Sequence, residues 1–191
     1  MQATESTFEE IGPIWASNLW AGRKSRIESH SAMRWLGGID MNLMKSQASF
    51  WTIREAAHVI AVLSGHFGGW IEDPEMYSAT DSTSPSTPPG QFSDSRLWGE
   101  NRNTLIRSYR TRGLWVHPNF RNQGAARILM ASASEQASKE NCKVIWTFPR
   151  QSSMPVYEKI GFKMLGSWIG KNTPGSGEFG PNCYAFLKLQ N

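Results

Sequence analysis

Between residues 104 and 148 the hydrophobic period changes twice, and that change constrains the fold more than any other feature. Residues 104–116 read as a strand. A short turn follows, and from about Gly124 to Lys139 the apolar or small residues Ala125, Ile128, Leu129, Ala133 and Ala137 form one stripe of a 3.6-residue period. Residues 143–148 then form a short, mostly apolar run, as expected of a strand in a sheet covered on both faces. The unit is strand, helix, strand.

The flanking sequence extends this pattern. Residues 48–55 and 58–64 read as two strands joined by a short link, which predicts an antiparallel hairpin closed by Gly65, Gly68 and Gly69. Ser152 or Ser153 can cap a short helix ending at Gly161, a residue suited to the left-handed C-terminal position. Residues 162–169 and 183–189 close the chain as strands, joined by a Gly/Pro-rich loop at 170–182. At the front, Ser6-Thr7-Phe8-Glu9 reads as a capping box. Phe8, Ile11, Ile14 or Trp15, and Asn18 or Leu19 follow at helical spacing, with Pro13 predicting a kink or a late start. Residues 19–31 read as a loop or short helices. The Ser/Pro-rich stretch at about 72–103 reads as a surface insertion, because Pro85, Pro88 and Pro89 remove donors and little apolar surface is present. The fold class is α/β: one domain over 1–191, with a mixed sheet flanked by helices.

Composition narrows the class. With 191 residues, 39% hydrophobic and 19% charged, the chain suits one globular domain. No apolar run approaches the roughly 18–20 residues needed to span a bilayer. Glu5, Glu9 and Glu10 stand where a secretory signal would be basic and then apolar, so a cytoplasmic chain is expected. Cys142 and Cys183 are expected to be reduced thiols, and His30, His58, His66 and His117 lack ligand spacing, so no metal is expected. The net charge of +4 is spread along the chain without a basic run, which argues against nucleic acid as the main partner and fits a small anionic ligand.

The chemistry concentrates in residues 113–127. A strand ends at Val116 and a helix starts near Gly124, so unpaired amides and a partial positive charge meet there, a natural pyrophosphate site. Gly124 and Ala126 keep side chains small where backbone must approach a ligand. Arg121 and Arg127 add charge. The Gly-Lys-Ser/Thr ending of a Walker A loop is absent.

Arg121-Asn-Gln-Gly-Ala-Ala126, after a hydrophobic-Val-x-Pro strand end, resembles the Arg/Gln-x-x-Gly-x-Gly/Ala signature of the GNAT acyltransferase superfamily. Some thirty residues on, Val156-Tyr-Glu-Lys-Ile-Gly-Phe162 resembles its second signature. The match covers 104–169 well and 48–64 in part, and leaves 1–47 and 70–103 unexplained. Leu19-Trp20, Gly22-Arg23 and Arg112-Gly113-Leu114 are also similar to GNAT-like proteins of tailed phages, which would place the chain in a host cytoplasm.

The resemblance implies a mostly antiparallel central sheet splayed between its fourth and fifth strands, with acetyl-CoA as co-substrate. It implies transfer of the acetyl group to a primary amine of a small molecule, amino acid or peptide by direct attack. The amides of Leu114 and Val116, around Trp115, would hold pantetheine. Those of Gln123, Gly124 and Ala126 would hold the pyrophosphate, within a turn made of Arg121, Asn122, Gln123, Gly124, Ala125, Ala126 and Arg127. Tyr157 would be the general acid. Arg150 stands where the family often has Asn, which puts that contact in question. The strand before Val116 offers Arg110 and Arg112 instead of a Glu or His base, and arginine stays protonated.

The base is therefore expected elsewhere, with Glu28 and His66 as candidates and Glu100 behind them, or through a water relay. Arg110 or Arg112 could bind a carboxylate of the acceptor, or be an outward charge of the sheet. His117 reads as structural, and Trp15, Trp20, Trp35, Trp51 and Trp146 as core. The competing expectation is a degenerate GNAT domain that binds CoA, protein or nucleic acid without turnover. Oligomeric state is open.

Overall fold

The computed structural model describes residues 1–19, 48–74, 105–169 and 181–190. Among them are seven strands: β1 (Ala3–Ser6), β2 (Ala48–Glu55), β3 (His58–Glu72), β4 (Leu105–Val116), β5 (Val144–Thr147), β6 (Lys163–Ile169) and β7 (Asn182–Lys188). The helices are α1 (Phe8–Asn18), α2 (Ala125–Lys139) and α3 (Met154–Ile160), with short 3-10 turns at Pro118–Phe120 and Gln151–Ser153. The strands hydrogen-bond in the order β1-β2-β3-β4-β5-β7-β6. Pairing is antiparallel for β1–β2, β2–β3, β5–β7 and β6–β7, and parallel for β4–β5. No helix among the described residues is long and apolar enough to cross a membrane.

The chain forms two compact units, residues 1–66 with 111–135 and residues 67–110 with 136–191. In the first, α1 lies on the β2–β3 hairpin, burying Phe8, Ile11, Trp15 and Ala16 with Phe50, Val62 and Trp115. The rings of Phe8, Trp15 and Phe50 pack at 6.1 to 6.5 Å between centroids. Burial of each large side chain is worth about 1.5–3 kcal/mol. That anchoring explains why α1 runs unbroken through Pro13, where a helix-interior proline costs about 3 kcal/mol.

Trp15 also ties α1 to β4, its Nε1 donating to the carbonyl of Gly113 at 2.7 Å. Gly113 has φ +66°, and a Cβ there would lie 2.3 Å from the Trp15 ring. Gly113→Ala combines left-handed strain with overpacking, together about 3 kcal/mol. The expected result is a fall in Tm of about 10 °C, and an unchanged melting curve would show that Trp15 does not seat against Gly113.

In the second unit, all of β5 is buried. On one face Ile71, Val144, Trp146, Leu165, Tyr184 and Phe186 cluster. By strand alternation Ile145, Thr147, Cys183 and Ala185 point to the other face, where α3 brings Met154 within 3.9 Å of Cys183 Sγ. Gly161 ends α3 at φ +109°, the left-handed stop expected of it.

Several boundaries differ from expectation. β3 does not stop at Gly65 but continues through Gly68 and Gly69 to Glu72. The polar segment 3–6 is a strand, paired with β2. The capping box does not form: Thr7 is the N-cap without a side-chain bond, and Ser6 Oγ donates to Glu10, which also pairs with Arg54. Ser153 likewise caps α3 without a side-chain bond. The expected segments 20–47, 75–103 and 170–180, with Glu28, Glu100, His30, Trp20 and Trp35, lie outside the described residues.

Candidate active site

Among the described residues, β4 is paired on both edges around Ser108–Arg110 and on one edge at its end. Contacts from Ile60 to His117, Ser64 to Arg112 and Gly69 to Ser108 show β3 and β4 running in opposite directions. The ladder to β5 covers only Ser108, Tyr109 and Arg110. Because His117 N–H points to β3 (2.8 Å to Ile60 O), alternation turns the amides of Val116 and Leu114 to the opposite edge, beyond the last β5 pair. The Trp115 side chain belongs to the core of the first unit.

The turn after β4 is built by its own side chains. His117 Nδ1 accepts from Asn119 N at 3.3 Å, and its ring sits edge-on to Trp115 and Phe120 at 5.9 and 5.7 Å, the structural part expected of it. Arg121 Nε donates to Val116 O at 3.2 Å, and Gln123 Nε2 to Asn119 O at 3.1 Å. Asn122 (φ +62°) and Gly124 (φ +88°) then lead the chain into α2 through left-handed backbone.

The first i→i−4 bond of α2 runs from Ile128 N to Gly124 O. The amides of Gln123, Gly124, Ala125 and Ala126 precede it and have no acceptor among the described residues. Arg121, Asn122, Gln123, Gly124 and Arg127 are exposed, Ala126 half-buried, and only Ala125 faces the core. A Cβ on Gly124 would meet nothing within 4 Å, so the amides open onto free space. Four such donors at the positive end of a helix, with two arginines beside them, fit a diphosphate.

Tyr157 lies on α3, buried, its ring 5.3 Å from Phe162. Burial pushes its phenol up to about 12, and a hydrogen bond with Thr147 pulls the other way. Sequence reasoning passed over Thr147; its signal was its place on β5, one residue after Trp146 and so on the other face. Arg150 is half-buried at an isolated bridge to Asn182, its carbonyl accepting from Ser153 and Met154.

Arg110 and Arg112 part company. Arg112 is half-buried in the first unit, and its carbonyl accepts from Ser64 Oγ at 3.1 Å. Arg110 lies in the second unit with its guanidinium 4.3 Å from the centre of the Trp146 ring. Burial lowers its pKa to about 10, against the opposing influence of Tyr184, so it remains protonated at neutral pH. Its Nε has no hydrogen-bond partner. Stacking of a desolvated cation is worth about 2 kcal/mol, less than the several kcal/mol that a buried charge costs without an anion.

His66 is half-buried within β3, opposite Ala48, and is not the turn residue a strand end at Ser64 implied. Cys142 and Cys183 are free and buried, and burial raises their thiols to about 11 and about 12, so neither is a nucleophile at neutral pH. No three His, Cys, Asp or Glu side chains converge on a metal-sized site among the described residues.

Solved structures share this architecture. An aminoglycoside 6'-N-acetyltransferase complexed with coenzyme A matches with a TM-score of 0.59 at 10% identity, covering 100% of this chain and 98% of its own. A chain from the NatC complex bound to Gag peptide and CoA matches at 0.57 and 14% identity, covering 100% of both. Ribosomal-protein-alanine N-acetyltransferase from Brucella melitensis matches at 0.53 and 14% identity, over 99% and 100%. Identities this low speak to the fold alone. No curated protein matches in sequence.

The fold is thus a mixed α/β sheet flanked by helices, shared with these structures. The sequence also matches the Acetyltransferase (GNAT) family over residues 24–162, most of its length, and the chain belongs to that family. It is an N-acyltransferase whose donor is acetyl-CoA.

Proposed function

We propose that the protein transfers the acetyl group of acetyl-CoA to a primary amine, and that residues 1–191 act as one catalytic domain with an insertion at about 72–103. The observation that carries this reading is the row of amides at Gln123, Gly124, Ala125 and Ala126, which have no acceptor among the described residues, at the start of α2 just after the left-handed Asn122 and around the left-handed Gly124. These amides, with Arg121 and Arg127, hold the pyrophosphate. Leu114 and Val116 present their edge amides to the pantetheine arm. The bound thioester supplies an activated acetyl group. Tyr157 holds its phenolic proton through neutral pH and releases it from Oη toward the departing sulfur. Arg150 lies at the foot of α3, where its charge can meet ligand oxygens. The base that takes the amine proton is Glu28 or His66, or a water relay from one of them.

The test has two stages. Calorimetry with acetyl-CoA should give binding in the micromolar range. A screen of primary amines, read by thiol release, should then give turnover. Absence of binding would sink the acyltransferase reading. Binding without turnover of any amine would favour the degenerate domain that holds CoA or a macromolecule.

A further inference from the structure

We infer that Arg110 anchors a carboxylate of the acceptor, so that the amine substrate is an amino acid or a peptide presenting a carboxylate. The inference rests on the acyltransferase reading above. Arg110 makes no ion pair or hydrogen bond to any described residue, and its contact is the face of Trp146 at 4.3 Å. Trp146 is itself fixed: its Nε1 donates to Ser108 Oγ at 3.2 Å, and Ser108 Oγ donates to Gly69 O at 2.9 Å. Gly68 leaves room for this relay, because a Cβ there would come within 2.7 Å of Trp146 Nε1 and 2.8 Å of Ser108 Oγ. A guanidinium held over a fixed indole is restricted in position. Two of its donors match the two oxygens of a carboxylate.

Position adds a second argument. Arg110 is the last residue of β4 to pair with β5. The anchor therefore stands where that ladder ends. Tyr184, 6.0 Å from Trp146 and 4.6 Å from Phe148 between ring centres, packs beneath it in the core and helps hold the indole in place.

The experiment uses the full chain with acetyl-CoA and matched pairs of acceptors: the common amino acids and several dipeptides, each as free acid and as C-terminal amide, with O-phosphoethanolamine as a phosphate-bearing control. The free acids are expected to be preferred roughly 30-fold or more in kcat/KM, the loss expected when one partner of a desolvated charge pair is removed. In Arg110→Gln the preference should disappear through KM, with acetyl-CoA affinity by calorimetry unchanged. Arg110→Met should keep or raise Tm, since it removes a buried charge that has no ion-pair partner among the described residues. Equal use of acids and amides, preference for the phosphate, or a Tm loss of many degrees in Arg110→Met would each overturn the inference. Failure of acetyl-CoA to bind the wild-type chain would instead mark failure of the underlying reading.

Discussion

Gly124→Glu is expected to abolish acetyl-CoA binding, a loss of at least roughly 100-fold, while the protein keeps its fold. Two effects act together. A non-glycine residue at φ +88° carries about 1–2 kcal/mol of backbone strain. The new carboxylate also competes with the pyrophosphate for the amides at the start of α2 and repels its charge. Gly124→Ala separates the two, because its Cβ would meet nothing within 4 Å and so adds strain without a clash. Alanine should weaken binding by about tenfold, the equivalent of its strain. Titration calorimetry on the three proteins decides the matter: glutamate binding as tightly as glycine would move the pyrophosphate to another part of the molecule.

The second large effect is expected at Tyr157. Phenylalanine there should lower kcat by roughly 100-fold or more, the range of general acid catalysis, with acetyl-CoA affinity nearly unchanged. The pH dependence carries a sign. Burial holds the phenol at about 12, whereas in the unfolded chain it titrates near 10. Its contribution to stability is fully present below pH 10 and is lost as pH rises towards about 12, because only the unfolded chain then ionises. Tyr157 therefore keeps its proton across the neutral range, and no rate limb below pH 10 belongs to it. The same burial makes the phenol a weaker acid than a solvated one, so its help depends on charge building up on sulfur next to it. Unchanged turnover in the phenylalanine variant would remove the assignment. So would a rate limb near pH 8 present in wild type and missing from the variant.

Much of the fold was legible because periodicity reports burial. The 3.6-residue stripe of α2, the apolar run of β5 and the glycine stop of α3 each emerged close to their predicted bounds. What failed was punctuation. Gly65, Gly68 and Gly69 read as a strand end, yet β3 runs through them, and at Gly68 the missing side chain makes room for Trp146 and Ser108. β1 was missed because Ala3-Thr-Glu-Ser has no apolar alternation and its order comes from pairing with β2. The capping box failed by one residue, Ser6 meeting Glu10 on the following position of α1. In the candidate site, the turn was readable because its chemistry is a local backbone pattern. The setting of Arg110 was not, since Trp146, Gly68 and Tyr184 are brought to it by sheet pairing across distant segments.

The amides at residues 123 to 126 are main-chain groups, and that has an evolutionary consequence. A donor belonging to the backbone survives replacement of its own side chain, provided the chain still turns the same way. Selection on such a turn acts on conformation, most severely at Gly124, and only weakly on residue identity elsewhere. Under the proposed function, lineages could then rewrite nearly all their side chains, including those that choose the acceptor, and keep one diphosphate-holding turn.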